Sequence, residues 1–245
     1  MDGMTRAELD KAESKDFALG GAPMRPRDAA TLILLDSDAA GAKVLMGRRH
    51  QRHAFMPGKF VFPGGRTDPE DGRVPFVGDL DPNDLQKLMS ASRISAIRAR
   101  AIALSAIRET YEEAGLLIGR RQSFATRRES WLGFCEQNVC PSLEGLRFVA
   151  RAITPPGRVR RFDTRFLAAW RSSVTVALPD GGPTDELEEL VWLPIGDAID
   201  ADVPSITKMI LTDLQTRLRE DPALMPGRPV PYYRMVRNRF VRELL

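Results

Sequence analysis

A long apolar stripe that ends in three acids sets the strongest constraint on this 245-residue chain. Ile94, Ile97, Ala101, Leu104 and Ile107 recur at three- and four-residue steps, the period of a helix with one buried face. The spacing predicts one helix from about Ser92 to Ala114, capped by Gly115. Its last turns hold Glu109, Glu112 and Glu113 at i, i+3 and i+4. Such positions share a face, with Cβ atoms about 5–6 Å apart, so the like charges repel. A hard divalent cation, Mg²⁺ or Mn²⁺, would offset that cost, because it favours clustered carboxylate oxygens. A solvated acidic face is the plainer alternative for Glu112-Glu113 alone.

Upstream, the apolar run Phe60-Val61-Phe62 breaks at Pro63-Gly64-Gly65, which reads as a strand entering a tight turn. Turn and helix together resemble the signature of the Nudix hydrolases. That signature runs Gly, five residues, Glu, seven residues, Arg-Glu, apolar, any, Glu-Glu, any, Gly, apolar. Its second half matches from Arg108 to Leu116, with polar Thr110 at the usual apolar position. Its first half begins at Gly65 and sets the leading acid at Asp71, with Glu70 one residue early. The signature's Arg would then fall at position 79; Arg108 stands 108 − 79 = 29 residues later. An insertion, roughly residues 72–100, therefore interrupts the box. An interrupted box ending Ala-Ile-Arg-Glu-Thr-Tyr-Glu-Glu-Ala-Gly-Leu is similar to a family branch that includes the peroxisomal coenzyme A diphosphatases of eukaryotes.

The resemblance implies an α/β fold, an α/β/α sandwich with a mixed sheet and a helical insertion inside the box. It covers residues 28–220, leaving an N-terminal arm (1–27) and a C-terminal extension (221–245). It implies hydrolysis of a diphosphate bond in a nucleoside diphosphate conjugate, coenzyme A or acyl-coenzyme A first. An ADP-ribose or dinucleotide diphosphatase is the second reading. A non-catalytic, nucleotide-binding regulator is the third; its mark would be loss of the box carboxylates, and all three are present.

On this resemblance Glu109 and Glu113 are metal ligands, and Glu112 is a third ligand or the base. The Gly64 carbonyl is a further ligand, and Arg108 orients a neighbouring carboxylate. Many family members use an acid from outside the box. Glu186, in the loop Pro183-Thr184-Asp185-Glu186-Leu187-Glu188-Glu189, is the candidate, against a plain acidic surface loop. The stretch after Thr154-Pro155-Pro156-Gly157 holds Arg158, Arg160, Arg161, Phe162 and Arg165. Arginine forks match phosphate geometry and Phe162 can stack on a base, so these residues are expected to bind substrate. Asp163 is expected to pair with one of the arginines.

Composition narrows the rest. Hydrophobic residues make up 43% and charged residues 28%, enough for a sizeable core. No apolar run approaches the ~20 residues that cross a bilayer. Residues 1–23 lack an apolar leader segment, and the final Arg-Glu-Leu-Leu is not a Ser-Lys-Leu address, so a cytoplasmic location is expected. A net charge of +3 is too small to indicate nucleic acid as a partner. The expected partner is the small nucleotide conjugate; a homodimer is compatible with the sequence. Cys135 and Cys140 suit free thiols in a reducing compartment. His50 and His53 alone make a weak metal pair.

Further elements follow from pattern. Residues 30–35 and 43–47 read as a hairpin, 82–89 and 128–138 as helices, and 146–153 and 189–193 as strands. Residues 166–170 and 173–177 read as one bulged strand. Residues 195–199 begin a helical segment, and 205–220 form a helix ended by Pro222. The tail carries Arg234, Arg237, Arg239 and Arg242 among Tyr232, Tyr233 and Phe240. It reads as an element packed on the body rather than a basic-aromatic binding surface.

Overall fold

The computed structural model describes residues 3–13, 20, 24–39, 41–50 and 58–245. Its centre is a mixed sheet built on β1 (Arg27–Asp38). The run Leu32 to Leu35 is apolar and buried because both faces of this strand are covered. Antiparallel β2 (Gly41–Arg49) flanks it, and β3 (Phe60–Val61) and β4 (Gly64–Arg66) pair with β2 and β1. After the insertion come β5 (Leu116–Arg121), β6 (Val139–Pro141), β7 (Arg147–Ile153), β8 (Phe162–Trp170), β9 (Val174–Ala177) and β10 (Leu187–Pro194). The last strands are β11 (Pro231–Val236) and β12 (Arg239–Leu244). The main sheet runs β10-β2-β1-β8-β7-β11-β12; β1 and β8 are parallel, β7 and β8 antiparallel. A second sheet has the order β6-β5-β9.

Helices cover both faces. The helices are α1 (Arg6–Ala12), α2 (Pro82–Met89), α3 (Ala96–Ala114), α4 (Leu132–Glu136), α5 (Ile195–Asp200) and α6 (Ser205–Glu220). Ala30, Leu32 and Leu34 of β1 meet α3 in one core, with Leu88, Trp131 and Phe134. Ile33 and Leu35, of opposite parity, meet α5, α6 and Leu9 of α1 in the other. This is the expected α/β/α sandwich. Among the described residues no helix is long and apolar enough to cross a membrane.

The insertion is ordered from sequence outward. Asp81 caps α2 through the Asn83 amide, and Pro82 takes the first helical position. Asp84, fully buried, accepts from the Phe148 and Gly227 amides and so pins α2 to β7. Ser95 caps α3, and Gly115 ends it in the left-handed region at φ 67°. Thr110, the polar departure in the box, is also fully buried; its hydroxyl donates to the Ala106 carbonyl at 2.8 Å, which satisfies it inside the helix.

Two expectations need correction. Residues 166–170 and 173–177 are not one bulged strand. A 3₁₀ turn at Arg171–Ser173 sends β8 and β9 into different sheets. The helix expected over residues 128–138 is a 3₁₀ turn, Glu129–Trp131, followed by the short α4. The basic tail is a hairpin on the sheet edge. Arg237 and Asn238 take φ of 46° and 65°, the left-handed pair that a tight two-residue hairpin turn requires. Tyr232, Tyr233 and Phe240 are buried, so its aromatic residues face the body.

Candidate active site

The acid face of α3 packs directly behind the Gly-Gly turn. A Cβ on Gly65 would lie 2.5 Å from the Glu109 carboxylate, so only glycine admits that side chain. The Gly64 amide donates to Glu113 Oε2 at 3.0 Å. Sequence spacing thus becomes geometry: the turn closing β3 and β4 touches two acids one helical turn apart.

Arg108 ties the acids to the first half of the box. Its Nε donates to Asp71 Oδ1 at 2.9 Å, Nη1 to Glu112 at 2.6 Å, and Nη2 to the Arg66 carbonyl at 2.9 Å. Nη1 also lies 2.8 Å from Glu109. Asp71 is 1% exposed and additionally accepts from the Trp131 indole and the Asp68 amide. Glu70 instead pairs with Arg128 at the surface. The structure therefore sets Asp71, not Glu70, against the box arginine, despite the 29 inserted residues implied by Arg108 standing at 108 rather than 79.

This concentration of charge is expensive. Burial first, then Glu109 and Glu186, push the Glu113 carboxyl up to about 9; the Gly64 amide opposes them. Burial pushes Glu109 up to about 7 against the pull of Arg108. Glu112 is raised too, chiefly by burial. Burial works against the Arg108 charge, but Asp71, Glu109 and Glu112 outweigh it and hold the guanidinium above its ordinary range. The acids also sit at the negative end of the α3 dipole, with no basic residue in the last turn.

The loop holding Glu186 is anchored on the same helix end. The Thr184 amide and hydroxyl both donate to the Glu112 carbonyl, at 3.0 and 2.8 Å. Glu186 pairs with Arg49 at 2.9 Å, and its charge reaches Glu109 and Glu113. His50 lies 2.9 Å from Glu188, and His53 lies outside the described residues. Among the described residues no three His, Cys, Asp or Glu side chains converge on one metal position. Cys135 and Cys140 are free.

A cavity of about 230 Å³ opens on the other face of the sheet and reaches Gly64 and Gly65. Arg49, Phe62, Ile153, Arg160, Phe162 and Ile206 are among its walls. The arginine-rich stretch divides around it. Arg160 and Phe162 line the cavity. Arg161 is spent on the Thr154 and Met24 carbonyls. Arg165, fully buried, pairs with Asp28 and Asp163, and Asp163 also holds Arg151. Arg158, 1% exposed, pairs with Asp10 and Glu13. Sequence reasoning missed Arg49, Trp131 and Glu13; their partners are remote in sequence, and no motif marks them.

An α/β/α sandwich with a carboxylate helix locked behind a Gly-Gly turn is the arrangement of the Nudix class. The chain is 25% identical to a Nudix hydrolase from Alicyclobacillus acidocaldarius, with a TM-score of 0.58, over 78% of this chain and 91% of that one. It is 23% identical over 215 residues to the acyl-coenzyme A diphosphatase NUDT19 of Xenopus laevis. That match takes in 62% of this chain and 57% of the relative, so the chain spans little more than half of that relative's length. No family model matches the chain. In its box, its fold and these relatives together, the chain is similar to the Nudix hydrolases.

Proposed function

We propose that the chain is a Mg²⁺- or Mn²⁺-dependent diphosphatase that hydrolyses the diphosphate bond of a nucleoside diphosphate conjugate, coenzyme A or acyl-coenzyme A first. One observation carries this reading: the Glu109–Glu112–Glu113 face of α3, with Glu109 against Gly65 and buried Glu113 held by the Gly64 amide. The donor set fits a hard cation, being all oxygen: the Glu109 and Glu113 carboxylates and the Gly64 carbonyl, with the Glu112 carboxylate beside them. The raised carboxyl groups of Glu109 and Glu113 mark a charge cost that a cation removes. Glu109 and Glu112 share Arg108 in this structure, so ligation exchanges part of that pairing.

When bound, a divalent ion neutralises diphosphate charge and polarises the phosphorus under attack. The chain's own residues supply the rest. Glu112, the most accessible of the three acids and held by Arg108, takes the proton of the attacking water. Arg108, fixed by Asp71, keeps Glu112 and Glu109 in place. Glu186, delivered by the Thr184 anchor, adds a further carboxylate beside Glu109 and Glu113. Arg160 and Phe162 receive the far part of the conjugate in the cavity, by phosphate pairing and stacking. The substrate class is supported by the interrupted box and by the similarity to an acyl-coenzyme A diphosphatase.

The test is cleavage of coenzyme A, acyl-coenzyme A, ADP-ribose, NADH and diadenosine polyphosphates with Mg²⁺ or Mn²⁺, with products identified by mass. Coenzyme A cleavage to 3′,5′-ADP and a phosphopantetheine is expected. Glu112→Gln and Glu113→Gln should each lower kcat by at least about 10²-fold while the fold is kept, because charge is lost and shape is not. Full activity in both variants would overturn the site.

A further inference from the structure

The N-terminal helix and the arginine turn meet at the cavity, and the residues joining them are not needed to hold either element's own conformation. Helix α1 is short and carries its own capping box, in which the Thr5 hydroxyl and Glu8 carboxylate satisfy each other's backbone amides. Its anchors on the body are Leu9, fully buried, and a backbone seam to the last hairpin through Gly3, Met4 and Phe240. Its far end is held differently. Arg158 reaches out of the Pro155–Arg161 turn and forks onto Asp10 and Glu13, meeting Glu13 at 2.9 Å. A fork shared by two carboxylates fixes orientation as well as distance. Both partners are nearly sealed from solvent on their shared side, with Arg158 1% and Glu13 4% exposed. Glu13 is at once a partner of Arg158 and a wall of the cavity, while Arg160, two residues beyond Arg158, forms another wall.

We propose that Arg158 is a positioning residue that clamps α1 over the cavity and so sets its selectivity for the part of the substrate remote from the reacting phosphorus. The clamp makes one piece of two walls from segments far apart in the sequence, at Glu13 and Arg160. It rests on the diphosphatase reading. It acts through the cavity: α3 packs on the other face of the sheet, and the cavity adjoins its acids at Gly64 and Gly65, away from Arg158. Breaking the clamp frees α1 and loosens the Arg160 side of the wall. Substrate affinity then falls while the reacting groups stay in place.

Two variants test this in the full chain, Arg158→Ala and the milder Asp10→Ala, whose target is half-buried and does not line the cavity. Hydrogen exchange of the α1 amides, Mn²⁺ affinity, and kcat and KM for coenzyme A are measured together. Exchange in α1 should rise at least about tenfold, and KM should rise about tenfold, the change that ~1.4 kcal/mol of lost binding produces. Values of kcat and Mn²⁺ affinity should not move. Faster α1 exchange with an unchanged KM would reduce the clamp to a structural tie and overturn the proposal. So would unchanged exchange, or a fall in kcat alone. If the wild-type chain binds ADP-ribose or coenzyme A by calorimetry without cleaving it, only the hydrolase reading fails, and the same tenfold loss is then sought in affinity. Binding of neither would overturn both.

Discussion

Replacing Asp71 by alanine tests whether the interrupted box is reassembled around that residue. Asp71 is 1% exposed and accepts from Arg108 Nε and Nη2, the Trp131 indole and the Asp68 amide. Its removal leaves a buried guanidinium with Glu109 and Glu112 as remaining counter-charges, and two further donors without an acceptor. Breaking a buried pair from one side costs about 3–5 kcal/mol; the two residual acids argue for the lower figure. At about 2–4 °C per kcal/mol for a chain of this size, a loss of ~3 kcal/mol lowers the melting midpoint by about 6–12 °C. Glu70→Ala is the control. Glu70 meets Arg128 at the surface with both side chains substantially exposed, so its removal should change stability by no more than about 0.5 kcal/mol. The assay is a thermal melt of both variants, with kcat measured at 25 °C, well below either midpoint. Asp71→Ala should also lower kcat, since Arg108 loses the carboxylate that fixes its orientation toward Glu112 and Glu109. Equal shifts for the two variants, or a larger one for Glu70→Ala, would refute the assignment.

Gly65→Ala should abolish turnover and leave the melt nearly unchanged. Its Cβ would meet only the mobile end of Glu109, and displacing a reacting group by about 1 Å costs about 10²-fold. Gly64→Ala should instead impair folding, because its Cβ would meet the Ala30 carbonyl at 2.7 Å, which is backbone. The metal-free chain should lose stability as pH rises from the ordinary carboxyl range, with the loss complete at about 7 for Glu109 and about 9 for Glu113. Both are held protonated in the folded chain above their unfolded value, so their contribution is full in acid and is lost as the unfolded chain ionises ahead of the folded one. Mg²⁺ or Mn²⁺ should remove most of that loss. A melt flat from about pH 4 to about pH 10 in chelator would count against the acid face.

What the sequence made readable was local. The helix over residues 92–114 followed from apolar period and a glycine stop, and it begins at Ala96 because Ser95 caps it. The central hairpin followed from two apolar runs. The β8–β9 break was hidden because Arg171-Ser172-Ser173 contains neither Gly nor Pro; the turn is imposed by the two sheets that receive its ends. Side-chain direction in the arginine stretch was also hidden. Arg165 turns inward because β8 runs parallel to β1 in a register that pairs it with Ala30, within side-chain reach of Asp28, and Arg158 because α1 and its C-cap supply two acids. Neither partner lies within 100 residues of its arginine, since Asp28 and Arg165 are 137 apart and Glu13 and Arg158 are 145 apart. The choice between Glu70 and Asp71 likewise depended on which side chain the fold buries.

The last residues of the insertion and the acid-bearing end of α3 are one continuous rod. From Ala96 to Glu109 the backbone rises about 20 Å at 1.5 Å per residue without an interruption. Arg98 and Arg100 fasten its near end to Asp28 and Asp79. A rod transmits translation and rotation to its tip instead of absorbing them at a joint. Substitutions around residues 96–100 thus have mechanical leverage on carboxylates they never touch. Lineages that vary this segment could retune the acid face by shifting a handle, leaving every residue at the working end unchanged.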